Sequence, residues 1–439
     1  MVPVVRGPDD CLRQLVRSAA KGYACASFAM PSLPPLLPPG TLHDARILLG
    51  TRALRAFGDG YISLLLPYYL TLLGFDALRV GIIITATLLG AGAMTLTVGL
   101  IAHRYRARSL LMAGSALLAA VALLLITAGD FWPLLIIAAF GMLNPSSGDV
   151  TVFAPLEQSM LARSVTAQSR TALFARYSLV GSLVGALGAQ AAGIPELLGA
   201  WLGLEPKAAV QAMFVAYAAL GIANLLLYRT LSPRIEAPAS TQRARLHQSK
   251  RTVYKLAALF SIDAFGGGFA VQSLIALWLF ERFDLSIAVA STIFFWTNIL
   301  AAISFLVAAR IAARIGLINT MVFTHLPANV FLILVPLMPT LPLAILFLCL
   351  RSALSQMDVP VRSSYVMAVV APEERAAAAS VTVVPRSFAA AISPAFAGYL
   401  LSLSPFGWPL VICGALKIVY DLLLLRMFSA VKPPEEKQQ

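Results

Sequence analysis

Arg55-Ala56-Phe57-Gly58-Asp59-Gly60-Tyr61 returns further along the chain as Asp263-Ala264-Phe265-Gly266-Gly267-Gly268-Phe269, which sets Phe57 in register with Phe265 at an offset of 208. Phe75-Asp76 returns as Phe283-Asp284 at the same offset. Asp149-Val150 returns as Asp358-Val359 at 209, and Arg176 with Gly188 returns as Arg386 with Gly398 at 210. Single matches arise by chance in an apolar, glycine-rich sequence, but chance does not keep one order and nearly one register across both halves. The chain is therefore read as a duplication whose two halves fold as related units.

Its 439 residues are 59% hydrophobic and 12% charged, with a mean hydropathy of +0.82, far outside the composition of soluble domains. A membrane-spanning helix needs about 20 mostly apolar residues. Twelve candidate spans are centred near residues 60, 90, 118, 142, 178, 217, 267, 297, 327, 355, 389 and 416, six in each half. The expected fold is an all-α polytopic membrane protein of twelve transmembrane helices in two pseudo-symmetric six-helix bundles, residues 46–230 and 253–430. A basic linker, 231–252, joins them, and a short tail, 431–439, follows. Residues 1–45, broken by Pro31, Pro34, Pro35, Pro38 and Pro39, are read as a disordered tail without the apolar core of a signal peptide, and Met1 and Met30 both stand as possible starts.

The net charge of +13 is placed asymmetrically. With the N-terminus inside, the inner loops hold among others Arg104, Arg106, Arg108, Arg163, Arg229 and Lys250, and the outer loops only Arg79, Lys207 and Arg282. This follows the positive-inside rule, so both termini are expected on the cytoplasmic face of a cytoplasmic membrane, with the bilayer and not nucleic acid as partner. Cys11, Cys25, Cys349 and Cys413 show no metal-ligand spacing, and the histidines are scattered, so no metal, cofactor or disulfide is expected. A membrane-embedded enzyme would need a clustered set such as His-Glu-x-x-His, which the sequence lacks.

The repeat, the six-plus-six spans and the basic central loop together resemble the major facilitator superfamily. Gly99-Leu100-Ile101-Ala102-His103-Arg104-Tyr105-Arg106-Ala107-Arg108 is similar to the family's Gly-x-x-x-Asp-Arg-x-Gly-Arg-Arg loop, with His103, Arg106 and Ala107 replacing Asp, Gly and Arg. Ala371-Pro372-Glu373-Glu374-Arg375, followed by Ser393-Pro394-Ala395-Phe396-Ala397-Gly398, is typical of the family, and Gly181-x-x-x-Gly185 resembles its antiporter motif with Ala186 in place of proline. The resemblance implies a monomeric secondary transporter of a small organic solute, working by alternating access about a site lined by spans 1, 4, 7 and 10, with a gating role for Arg104. Efflux is slightly preferred over an uptake permease for an organic anion or other metabolite. A non-transporting solute sensor, the alternative from another class, would ordinarily add a soluble output domain.

Ionisable residues inside the spans carry the functional expectations, since each costs roughly 2.5–3.5 kcal/mol at the bilayer centre unless paired or wet. They are Arg55, Asp59, Asp149, Arg176, Asp263, Arg351, Asp358, Arg362, Arg386, Lys417 and Asp421. Asp59 is the first proton-coupling candidate, followed by Asp149 and Asp358. Arg55 lies one turn from Asp59, and the pair is either an exchangeable partnership or a permanent salt bridge. Asp149 with Arg176, and Asp358 with Arg386, are read as equivalent latch pairs on the cytoplasmic side or as substrate contacts. Arg351 is either an anion clamp or the partner of Asp263. Lys417 and Asp421 form an expected structural pair, His325 and Asn329 an expected core pair, and Tyr61, Asn144 and Gln272 are candidate contacts to a polar organic ligand.

Overall fold

The computed structural model describes residues 43–101, 104–146, 152–164, 167–235, 247–371 and 374–429. The first half contains α1 (His43–Leu72), α2 (Ala77–Ile101), α3 (Ala107–Thr127), α4 (Phe131–Ala139), α5 (Phe153–Leu161), α6 (Ala167–Ala191), α7 (Ile194–Leu202) and α8 (Pro206–Arg229). The second contains α9 (Lys250–Gly268), α10 (Gln272–Phe283), α11 (Ile287–Ile315), α12 (Leu317–Leu334), α13 (Leu341–Ser355), α14 (Asp358–Val369), α15 (Arg375–Leu403) and α16 (Trp408–Phe428). Nine stretches among the described residues are long and apolar enough to cross a membrane. α1, which carries Asp44, Arg46, Arg52, Arg55 and Asp59, is not one of them.

Three expected spans are broken near their centres. Span 4 divides into α4 and α5, with Gly141 in the left-handed region at φ 63°, a conformation that favours glycine. Span 7 divides after Gly266-Gly267-Gly268, and Val271 leads into α10 in an extended conformation. Span 10 divides at Gln356 and Met357, and Pro360 falls in the first turn of α14, where its missing N–H breaks no helical bond. Broken helices at membrane depth are tolerated where the freed backbone meets protein or a wet cavity.

Within each half, glycines bring the backbones together. A Cβ on Gly60 of α1 would lie 2.2 Å from the Gly185 carbonyl oxygen, and one on Gly188 of α6 would lie 2.0 Å from that of Phe57. α1 packs on α6 and α8, α3 on α8, α9 on α15 and α16, and α12 on α16. The halves meet chiefly through α2 against α15 and α6 against α11.

These contacts gather towards one end. Gly81 of α2 lies against Pro394 and Gly398 of α15, Gln190 of α6 donates to Thr292 of α11 at 3.3 Å, and the Ala288 N–H donates to Glu196 of α7 at 3.1 Å. Gln272 donates to the Ser63 hydroxyl at 2.9 Å, and the Ser273 N–H to the Pro145 carbonyl at 3.1 Å. At the opposite end, where α1 begins, Leu96 and Leu100 of α2 are exposed, and a Cβ on Gly99 would meet nothing within 4 Å. The described polar contacts between the halves thus lie towards the first end.

The expected tail and linker reach different limits. α1 begins at His43, inside the expected tail, because Asp44 is buried and accepts from the Ser232 N–H and hydroxyl at 2.9 and 2.6 Å. The linker's last residues, from Lys250, already belong to α9. Its start is anchored by Glu374, which accepts from the N–H groups of His247, Gln248 and Ser249 at 2.5, 2.8 and 2.9 Å. These donors, Ser249 foremost, hold the Glu374 carboxyl down at about 2. Half of the linker, residues 236–246, and the tail after Ser429 lie outside the described residues.

Candidate functional site

Two buried polar clusters occupy the inner cores of the two halves, and their wiring differs from the pairing the sequence suggests. Arg55 does not bridge to Asp59. Its guanidinium instead forms a two-pronged ion pair with Glu157 of α5, at 2.7 and 2.6 Å, and lies 4.5 Å from the centre of the Phe153 ring. Glu157 also accepts from Thr51 at 2.9 Å and from the phenols of Tyr177 and Tyr228 at 2.5 Å each. Its side chain is fully buried, and such a charge is tolerable because every oxygen is paired. Glu157 is absent from the sequence-derived candidates, since Pro155 and its nearness to a loop set it outside an apparent span. The i to i+4 spacing of Arg55 and Asp59 permits their contact, but the fork-to-carboxylate geometry offered by Glu157 is the better one.

Asp59 is buried with neutral company. Its carboxylate accepts from the Tyr217 hydroxyl at 2.8 Å and from the Asn144 amide at 3.2 Å, and among the described residues it forms no ion pair. Gly58 makes room for this: a Cβ there would sit 2.6 Å from the Tyr217 ring. Arg55, Asp59, Leu118, Met142 and Phe153 line a recess of about 10 Å³, room for roughly one water. Asn144, a candidate ligand contact in the sequence, lies on the break between α4 and α5 and is here joined to Asp59. Tyr61 is fully buried, edge-on to Phe57 and Tyr217, with its hydroxyl 3.4 Å from the Met213 carbonyl oxygen.

In the second half Asp263 is the hub. It accepts from Lys417 at 2.6 Å and from Arg362 at 3.1 Å, and Arg362 also pairs with Asp358 one turn before it. Three expected pairings are thereby corrected. Asp358 is taken by Arg362 and not by Arg386, because both lie on α14 one turn apart. Lys417 reaches Asp263 and not Asp421, since Gly267 leaves its ammonium a clear path to α9. Arg351 does not pair with Asp263, which is already occupied. Asp421 accepts from Asn329 at 3.0 Å and meets the His325 ring at 2.9 Å, so the expected core role of His325 and Asn329 is what the structure shows.

That wiring leaves arginines over. Arg351, Arg386 and Arg176 form no ion pair among the described residues, and Nε of Arg386 and Nη1 of Arg176 are buried without a hydrogen-bond partner. Asp149, the expected partner of Arg176, lies outside the described residues. Gln272 ties α10 to Ser63 at the end where the halves meet, and Arg104 is exposed in the turn after α2. Its neighbour Arg108 caps the end of α8, donating to the carbonyls of Arg229 and Leu231 at 2.5 and 3.1 Å.

The profile of the Major Facilitator Superfamily matches residues 48–355 and 257–439. The chain belongs to that superfamily. An uncharacterized membrane protein of Saccharomyces cerevisiae, YJR124C, is 26% identical over 430 residues, 90% of this chain and 96% of the yeast protein. Among solved structures, the nucleoside transporter NupG superposes with a TM-score of 0.70 at 15% identity, covering 88% of this chain and 100% of its own. The D-xylose-proton symporter matches at 0.69 and 14% identity over 90% and 99%, and the human organic anion transporter MFSD10 at 0.59 and 17% over 88% and 100%. These structural likenesses establish the fold, two related bundles of membrane-spanning helices.

Proposed function

We propose that this superfamily member is a secondary active transporter that moves a small organic solute by alternating access and couples it to protons through Asp59. The observation that carries the coupling is the company Asp59 keeps: a buried carboxylate on α1 held by a phenol and an amide, with no ion pair. Protonating Asp59 strands no cation, whereas protonating Glu157 would leave Arg55 buried and unpaired. A proton on Asp59 removes a charge from the contact between α1, α8 and the α4–α5 break.

With the termini in the cytoplasm, as the distribution of arginines suggests, the end at which the halves meet faces outward. Efflux is the preferred direction, with uptake the alternative. The test is solute-driven proton movement in proteoliposomes holding a pH-sensitive dye. Wild type moves protons with solute, while Asp59→Asn stops proton movement and uphill flux but still exchanges labelled solute across a balanced membrane. Uphill flux in Asp59→Asn with an unchanged pH dependence overturns the coupling.

A further inference from the structure

We infer that the transported solute is an organic anion whose carboxylate or phosphate is bound by Arg386 of α15. This names the substrate class of the transporter proposed above and rests on that reading for its transport step only. The three aspartates described within the spans of the second half are each already engaged: Asp263 by Lys417 and Arg362, Asp358 by Arg362, and Asp421 by Asn329 and His325. Arg386 lies within electrostatic reach of this cluster, yet among the described residues it forms no ion pair and no side-chain hydrogen bond, whereas Arg55 and Arg362, whose Nε atoms are likewise buried without a partner, spend their terminal nitrogens on carboxylates. A guanidinium carries five donors in a fixed fork and stays charged, so an unfilled edge in a buried setting is a site for an oxyanion.

Position supports the assignment. α15 packs against α2 of the other half and α9 of its own, so Arg386 stands on a helix that joins the moving bundles. The duplicated position makes the same statement independently, because Arg176, its counterpart 210 residues earlier, also has a buried guanidinium nitrogen without a partner, on the helix α6 that joins the halves on the other side. Among the described residues, both copies of the fold thus leave this arginine without an ion pair. Arg351 is a weaker site, since none of its guanidinium nitrogens is both buried and without a partner.

The experiment is a melting-temperature screen of the purified full-length protein in a neutral detergent at constant ionic strength. Succinate, citrate and glucose 6-phosphate are the anionic probes, glucose the neutral one and tetraphenylphosphonium the cationic one. Phosphatidylglycerol in mixed micelles separates a lipid headgroup from a soluble anion. A ligand of the folded state raises the melting temperature by mass action. The expected result is a saturable rise with at least one soluble anion and none with glucose, and an apparent Kd weakened at least about tenfold in Arg386→Gln, the loss of a charge-assisted contact.

Arg386→Lys keeps the charge without the fork and falls between. Both variants are first matched to wild type by size-exclusion profile and unliganded melting, and if Arg386→Gln fails that match the comparison is carried by Arg386→Lys. No rise with any anion, a rise with glucose, tetraphenylphosphonium or phosphatidylglycerol alone, or an anion effect that persists undiminished in the variants overturns the inference. Binding needs no proton gradient, so an anion effect that is weakened in Arg386→Gln, alongside uphill flux with unchanged pH dependence in Asp59→Asn, would fail the coupling and leave this assignment standing.

Discussion

At the scale of single residues, the positions most exposed to test are buried charges with complete partnerships. Glu157→Ala leaves Arg55 buried without its carboxylate and is expected to cost about 3–5 kcal/mol, read as a lower melting temperature and a broadened size-exclusion profile. Glu374 lies outside the spans and gives a pH prediction. Its folded carboxyl titrates at about 2, below the roughly 4.3 of an unfolded glutamate, so its contribution is present above pH about 4.3 and is lost as pH falls towards 2. The difference in melting temperature between wild type and Glu374→Gln is therefore full at pH 6 and shrinks below about pH 4. The presence of Asp59, Asp263 and Arg386 inside spans was legible in the sequence, because an ionisable residue in an apolar run stands out. Their partners were not, since helical spacing offers several partners and burial depth across helices chooses among them.

At the scale of elements, the glycine contacts decide how α1 and α6 meet. Gly188→Ala places a methyl carbon 2.0 Å from the Phe57 carbonyl oxygen, in a backbone contact that cannot yield by rotating a side chain. Loss of monodisperse protein in detergent is the expected outcome, while Gly99→Ala, in open space within α2, is neutral or stabilising by about 0.5–1 kcal/mol in thermal unfolding. The apolar runs announced the long helices, but spans 4, 7 and 10 read as continuous. Their breaks at Gly141, at Gly268 and at Gln356 depend on backbone conformations that composition does not encode.

At the scale of the whole molecule, alternating access requires the end where the halves meet to open. Gln190→Cys with Thr292→Cys, in a background without the native cysteines, joins α6 to α11 where their side chains already touch. Oxidation is expected to abolish exchange across proteoliposomes while leaving the anion-induced melting shift intact, and reduction to restore exchange. The duplication, the all-helical membrane class and the superfamily were determined by the sequence itself, because residues in one register and apolar runs of spanning length are one-dimensional properties. Which acid holds which base, that Asp59 is left with neutral donors and Arg386 with an empty edge, and that the halves meet towards one end, were decided only in the tertiary structure. Those outcomes depend on distances between helices far apart in the chain, where a few ångströms separate an ion pair from an unfilled site.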